Sequence, residues 1–193
     1  NYRMIGDDPI AAPDWWTNFT SLFLDEASVR ASYAGMVDTA TAVRFIRANA
    51  DVLGADPDHI FAVGSSAGAF NVLHVALDTP DAYLSSLPVN NPQESSALQL
   101  VIDLWGGCFR RQEIDANDPP VLILHGTADP TVPFALGQRL DESLTAAGVA
   151  HQFIPLEGYG HAAWSATVDG KTLPELQMEF IATNGGIRVT GQP

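Results

Sequence analysis

No stretch restricts this chain's fold as much as His59-Ile60-Phe61-Ala62-Val63-Gly64-Ser65-Ser66-Ala67-Gly68-Ala69-Phe70. It reads as a buried apolar strand, a very tight turn and an immediate helix. A strand that turns straight into a helix brings two backbones together. The positions two before and two after the apex must then be nearly free of side chain, and Gly64 and Gly68 meet that need. Ser65 and Ala67 are also small. Ser66 is expected at the apex in a strained conformation, its hydroxyl above the sheet. Gly64-x-Ser66-x-Gly68 is the nucleophile-elbow pattern, which means little as a bare pattern and more after a strand and before a helix.

The rest of the chain supplies the sheet. Residues 1–9 look like the exit of a strand and a turn, Gly6-Asp7-Asp8-Pro9. Residues 10–33 are aromatic-rich (Trp15, Trp16, Phe19, Phe23, Tyr33) and are expected to be irregular, packed on the body or walling a cleft. Met36, Ala40, Val43, Ile46 and Ala50 fall at helical spacing between Gly35 and Val52, with Arg44 and Arg47 off the stripe and expected in solvent. Gly54 stops that helix. A helix over 67–77 ends at the breaker Thr79-Pro80-Asp81, and 85–97 is loop. Leu98–Trp105 and Val121–Leu124 are continuous apolar runs, and His151–Leu156 is a fourth strand. Helices are expected from Pro133 to Gly148, with proline inside the start and glycine past the end, and from Leu173 to Ala182. Strands alternating with helices, in runs apolar on both faces, predict a parallel sheet in a three-layer α/β/α sandwich.

Composition limits what such a domain does. At 193 residues the chain is expected to be a single domain, with 1–33 as an irregular N-terminal segment and 34–193 as the core. Twenty-three acidic residues stand against nine basic ones, for a net charge of −14. Such a surface repels nucleic acid and anionic membranes. No apolar run of about 18 residues suggests a membrane span. The lone Cys108 allows neither an intrachain disulfide nor a cysteine-based metal site. The chain starts without Met or a signal pattern, as though in mid-protein, and leaves the compartment open, with the cytoplasm as default.

Ligands of a parallel sheet bind beyond the carboxyl ends of its strands. Three strand ends carry one notable polar residue each: Ser66, Asp129 and His161. The order Ser, Asp, His is that of the α/β-hydrolase triad. Here the chain resembles the α/β-hydrolase superfamily, and within it bacterial carboxylesterases of the carboxylesterase and acetyl- or feruloyl-esterase type. The resemblance runs through Asn1-Tyr2-Arg3, Thr41–Leu53, Asp56-Pro57-Asp58-His59-Ile60, Gly64–Gly68, Pro119–Gly126, Asp129 with Val132-Pro133, and Gly158-x-Gly160-His161. It implies that His161 takes the proton of Ser66 and later passes it to the leaving alkoxide. Asp129 would orient the imidazole, and the Ala67 amide at the helix start would face the oxyanion. No metal or organic cofactor is needed. Asp103 is the runner-up acid. His125 is expected to be structural, as are His59, His74 and His151. Ser65 and Cys108 are expected to be buried bystanders.

The sequence also departs from that family. Strands that precede the elbow in the family, and its His-Gly-Gly oxyanion loop, are not found. Only Ala67 is then nameable as an oxyanion donor, and losing one donor costs roughly 2.7–4 kcal/mol. The elbow strand would have a bare edge, to be covered by residues 1–33, by self-association into a homo-oligomer, or by a complementing fragment. No large cap insertion lies between Cys108 and Pro120, so an open cleft is expected, lined by Trp105, Phe109 and Trp164. The function expected is hydrolysis of short or small soluble carboxylic esters. A serine peptidase or amidase of the same fold, and a non-catalytic remnant, remain as alternatives.

Overall fold

Alternation along four strands generates the layers. In the computed structural model, which describes residues 2–7, 10–20 (backbone alone for 19 and 20), 24–78 and 90–187, the strands are β1 (Phe61–Ser65), β2 (Leu100–Leu104), β3 (Val121–Gly126) and β4 (His151–Leu156). They lie in the order β1-β2-β3-β4, every pair parallel. Val101, Val121 and Ile123 enter a core shared with Trp16, Tyr33, Met36, Leu73 and Leu140. Their neighbours Leu100, Ile102, Leu104, Leu122 and Leu124 enter a second core with Ile154, Leu173 and Phe180. Strands buried on both faces explain the unbroken apolar runs.

Helices α1 (Asp14–Thr20), α2 (Glu26–Ala48), α3 (Ala50–Leu53), α4 (Ala67–Leu77), α5 (Ala135–Ala147) and α6 (Leu173–Asn184) flank the sheet. The first core takes side chains from α1, α2, α4 and α5, and the second takes those of α6. A two-stranded hairpin, β5 (Thr167–Val168) and β6 (Lys171–Thr172), precedes α6. Its Asp169-Gly170 turn has both φ values positive, at 52° and 80°. An Asp-Gly pair is the sequence signal for such a hairpin.

The structure corrects the reading of the N-terminal half in three places. The segment 10–33 is not irregular: it holds α1 and the first turns of α2. Asp25 caps α2 by accepting the Ser28 amide at 2.8 Å, and the apolar stripe extends back through Val29 and Tyr33. Trp16 is fully buried and donates its indole N–H to the Val29 carbonyl. Arg44 is buried rather than solvated, because it lies four residues beyond Ala40 on the packed face. Arg47 is partly buried and donates to the carbonyls of Pro57, Ser95 and Ala97. At the start of the chain, residues 2–4 pair with no strand, and Gly6 lies in a turn at φ 100°. Phe23, the Phe19 side chain, Asn1, Asp8-Pro9, Thr79-Pro80-Asp81 and 85–89 lie outside the described residues.

β1 is an edge strand, and among the described residues no strand pairs with its outer side. Val63 is half exposed there. The N-terminal segment does not extend the sheet, since α1 packs on α2. Arg3 forks onto the Asp38 carboxylate of α2.

Two buried features set the stability of this frame. A Cβ on Gly64 would lie 2.3 Å from the Gly68 oxygen and 2.5 Å from its carbonyl carbon. A Cβ on Gly68 would meet only the Tyr2 hydroxyl, at 3.9 Å. The steric demand expected of both glycines therefore falls on Gly64. Asp103 sits fully buried within β2. Its Oδ1 accepts the Gly106 amide at 2.7 Å, and Oδ2 has no partner among the described residues. Burial pushes its pKa up to about 7, and the Gly106 amide offsets this only in part.

Gly64→Ala is expected to cost at least about 3 kcal/mol, with Gly68→Ala below about 1 kcal/mol. Thermal unfolding of the two variants checks this, and equal losses would contradict it. Because the Asp103 carboxyl holds its proton longer folded than unfolded, its contribution is full below about pH 4 and fades as pH rises through about 7. Asp103→Asn should flatten that decline and raise the melting temperature at pH 7–8 relative to the parent.

Candidate active site

Ser66 links β1 to α4 with φ 53° and ψ −123°, backbone angles disfavoured for a residue bearing a Cβ. Three hydrogen bonds hold it there. Its amide donates to the Leu104 carbonyl at 2.9 Å, and its own carbonyl accepts the Ala69 and Phe70 amides at the start of α4. The strained turn is thus fixed from both the sheet and the helix, and Oγ is aimed out of it. The Ala67 amide, first in α4, has no acceptor among the described residues.

Asp129 follows β3 and His161 follows β4, and these strands are neighbours. Their loops are laced together. Thr127 and Ala128 donate their amides to the Leu156 and Tyr159 carbonyls, and Gly158 donates to the Thr127 hydroxyl. Such a close approach requires Gly126, where a Cβ would stand 2.4 Å from the Tyr159 oxygen. His161 Nδ1 lies 2.8 Å from Asp129 Oδ2, and His161 Nε2 lies 2.9 Å from Ser66 Oγ. The other Asp129 oxygen accepts the Thr131 and Val132 amides. Burial alone would raise the pKa of Asp129, but the hydrogen bonds of His161, Val132 and Thr131 outweigh it and hold the carboxyl below its usual range. An ionised Asp129 accepts from Nδ1–H, which leaves Nε2 free to accept the serine proton.

Of the other candidates, His125 approaches this line of contacts, with its Nε2 3.6 Å from Asp129 Oδ2. His125 is fully buried, donates Nε2–H to the Val132 carbonyl, and is held neutral by burial. Asp103 is bonded to its own turn. Burial pushes the Cys108 thiol up to about 12, and it carries no thiolate at neutral pH. His59 pairs with Asp56, and His151 with Asp141 and the Thr145 hydroxyl. Among the described residues no three His, Cys, Asp or Glu side chains converge on a metal-sized site, and no helix is long and apolar enough to cross a membrane.

A cavity of about 590 Å³ opens over Ser66 and Ala67. Phe70, Phe109, Val132 and Leu136 give it apolar walls. Of the three aromatics expected there, only Phe109 lines it. Trp105 leaves β2 at φ 47°, is buried, and packs edge-on against Trp164, 6.4 Å from the His161 ring. These two tryptophans back the histidine rather than the cavity. Beneath the cleft, Phe109 stacks on Phe70 at 4.7 Å. Its amide donates to Nε2 of the buried His74, whose Nδ1–H donates to the Phe70 carbonyl. Burial lowers the His74 pKa to about 4, so the imidazole stays neutral and keeps the lone pair that Phe109 needs. Phe70 has a recoverable signal, four residues past the elbow serine on the same helix face. Leu136 and Val132 carry none.

Comparison with known proteins agrees with this architecture. The family described as BD-FAE matches residues 26–108. Esterase LipQ of Mycobacterium tuberculosis is 25% identical over 81% of this chain, which spans 45% of that protein's length. A thermophilic esterase of the planctomycete Thermogutta terrifontis, Est2 with propionate bound, superposes with a TM-score of 0.69 at 25% identity, over 86% of this chain and 70% of its own. Its butyrate-bound form gives 0.67 at 26% identity, over 81% and 67%. An elbow between strand and helix on a parallel sheet, in a chain that superposes on esterases along most of its length, makes this protein a member of the α/β-hydrolase superfamily.

Proposed function

We propose that the chain hydrolyses esters of short carboxylic acids through an acyl-enzyme on Ser66. The observation that carries this reading is the unbroken contact from Ser66 Oγ through His161 to Asp129, at 2.9 Å and 2.8 Å, beneath an open apolar cavity. Both lengths lie within hydrogen-bond reach, and the proton crosses only the first of them. His161 Nε2 takes the serine proton as Oγ bonds to the ester carbonyl carbon. The carbonyl oxygen becomes an oxyanion, which the Ala67 amide meets at the positive end of α4. As the tetrahedral adduct collapses, the C–O bond to the alcohol breaks and the imidazolium protonates the departing oxygen. Water, deprotonated by the same imidazole, then cleaves the acyl-serine and restores the hydroxyl. Asp129 stays ionised throughout, stabilising the imidazolium and fixing its tautomer.

The preference for short acyl groups draws support from Est2, which has structures with propionate and butyrate bound. Purified protein should hydrolyse 4-nitrophenyl acetate and butyrate faster than the decanoate. Ser66→Ala should lower kcat at least about a thousandfold, and Asp129→Asn by about 10⁴-fold. Asp103→Asn should leave kcat within about twofold, because no described contact joins it to the histidine. Equal activity in the parent and Ser66→Ala would remove the reading.

A further inference from the structure

The charge lining the cleft runs against that of the molecule. The chain carries 23 acidic residues, yet among the described residues no Asp or Glu lines the cavity over Ser66, whereas Arg3 and Arg139 do. Arg3 is neutralised by Asp38. Arg139 projects from α5 one turn beyond Leu136, which lines the same wall. It is exposed, and no carboxylate, carbonyl or aromatic ring engages its guanidinium among the described residues.

Every other described basic side chain is engaged. Arg30 pairs with Glu26, and Arg110 with Asp78 and Glu113. Lys171 pairs with Glu179. Arg47 and Arg111 bond backbone carbonyls, and Arg44 is buried with a partner. In a chain with more than two carboxylates for each cation, a guanidinium unpaired among the described residues is unusual. Here it lies on the cleft wall.

We infer that Arg139 is the anchor for a carboxylate carried by the ester substrate on a part remote from the scissile bond. The inference rests on the ester-hydrolase reading above and adds the substrate class: esters whose acyl or alcohol portion ends in a carboxylate. A guanidinium presents paired N–H donors in a plane that matches a carboxylate. One unpaired positive charge balances one negative charge, which favours a monoanionic carboxylate over a dianionic phosphate. The wall beside Arg139 is apolar, from Leu136, Ala135 and Pro133, which suits a short methylene spacer between the ester and the carboxylate. Against a surface this acidic, the Arg139 guanidinium gives an anionic group a favourable partner on the cleft wall.

The test compares charged esters with neutral twins, followed by titration of the released acid at constant pH. On the acyl side the pair is monomethyl glutarate and methyl butyrate. On the alcohol side it is 4-acetoxybutyrate and butyl acetate. The parent should prefer the charged member in at least one pair. Arg139→Gln should cut that preference by about tenfold, chiefly through KM. Arg139→Lys should keep part of it, since the charge remains and the fork does not. Sodium chloride at about 0.5 M should weaken the parent's preference. The pair that responds identifies which end of the ester carries the carboxylate. Turnover of neutral esters with no charged preference in either pair, or a preference unmoved by Arg139→Gln, overturns the inference and leaves the hydrolase reading standing. No Ser66-dependent turnover of any of the four esters overturns both.

Discussion

The site depends on how little room separates β1 from α4. With no Cβ at Gly64, the strand passes directly under the Gly68 carbonyl, and the chain reverses within a single residue. Ser66 bears the strain of that reversal in its positive φ. Its amide donates to the Leu104 carbonyl and its carbonyl accepts two amides of α4, which keeps it from relaxing. The helix therefore begins immediately beside the nucleophile. One contact fixes the hydroxyl, the free Ala67 amide and the positive helix end together. Backbone strain of order 1–3 kcal/mol is affordable here because the surrounding strands are buried on both faces.

The floor of the cleft is held by polar groups that are unusual in a core. His74 joins α4 to the connection after β2 through the Phe109 amide. Arg110 bonds Asp78 at the end of α4 while its guanidinium lies over the Trp15 ring at 4.3 Å. Buried ion pairs are poor evidence of stability, since desolvation offsets much of their attraction. Their evident effect here is positional. Three elements distant in sequence are fastened at the level where Phe70 and Phe109 stack, so the wall facing the substrate is the visible surface of a buried polar lock.

Much of the sheet was legible in the sequence, for a definite reason. β2 and β3 are buried on both sides, and such strands appear as continuous apolar runs whatever their surroundings. The order of Ser66, Asp129 and His161 was legible for a related reason, as each falls just past a strand end. What failed depended on long-range packing. α1 is too short to display a helical period, and its Trp15 and Trp16 looked like loop aromatics. Arg44 reads as a solvated charge off the apolar stripe, yet it is buried one turn beyond Ala40. Trp105 and Trp164 read as cleft residues, whereas Trp105 leaves β2 at a positive φ, faces the His161 ring and packs edge-on against Trp164. That Arg139 is unpaired among the described residues is a property of its neighbours in space and leaves no local trace.

The lacing between the β3 and β4 loops has a mechanical consequence. Asp129 and His161 ride on one body, cross-linked by backbone hydrogen bonds at several points. Ser66 rides on another, with β2 as the spacer between them. A change in sheet twist leaves the acid–base pair intact and alters a single separation, that between Oγ and Nε2. The protein could thus fall idle while folded, and with every side chain present, through a shear of about an ångström, a displacement large enough to matter in catalysis.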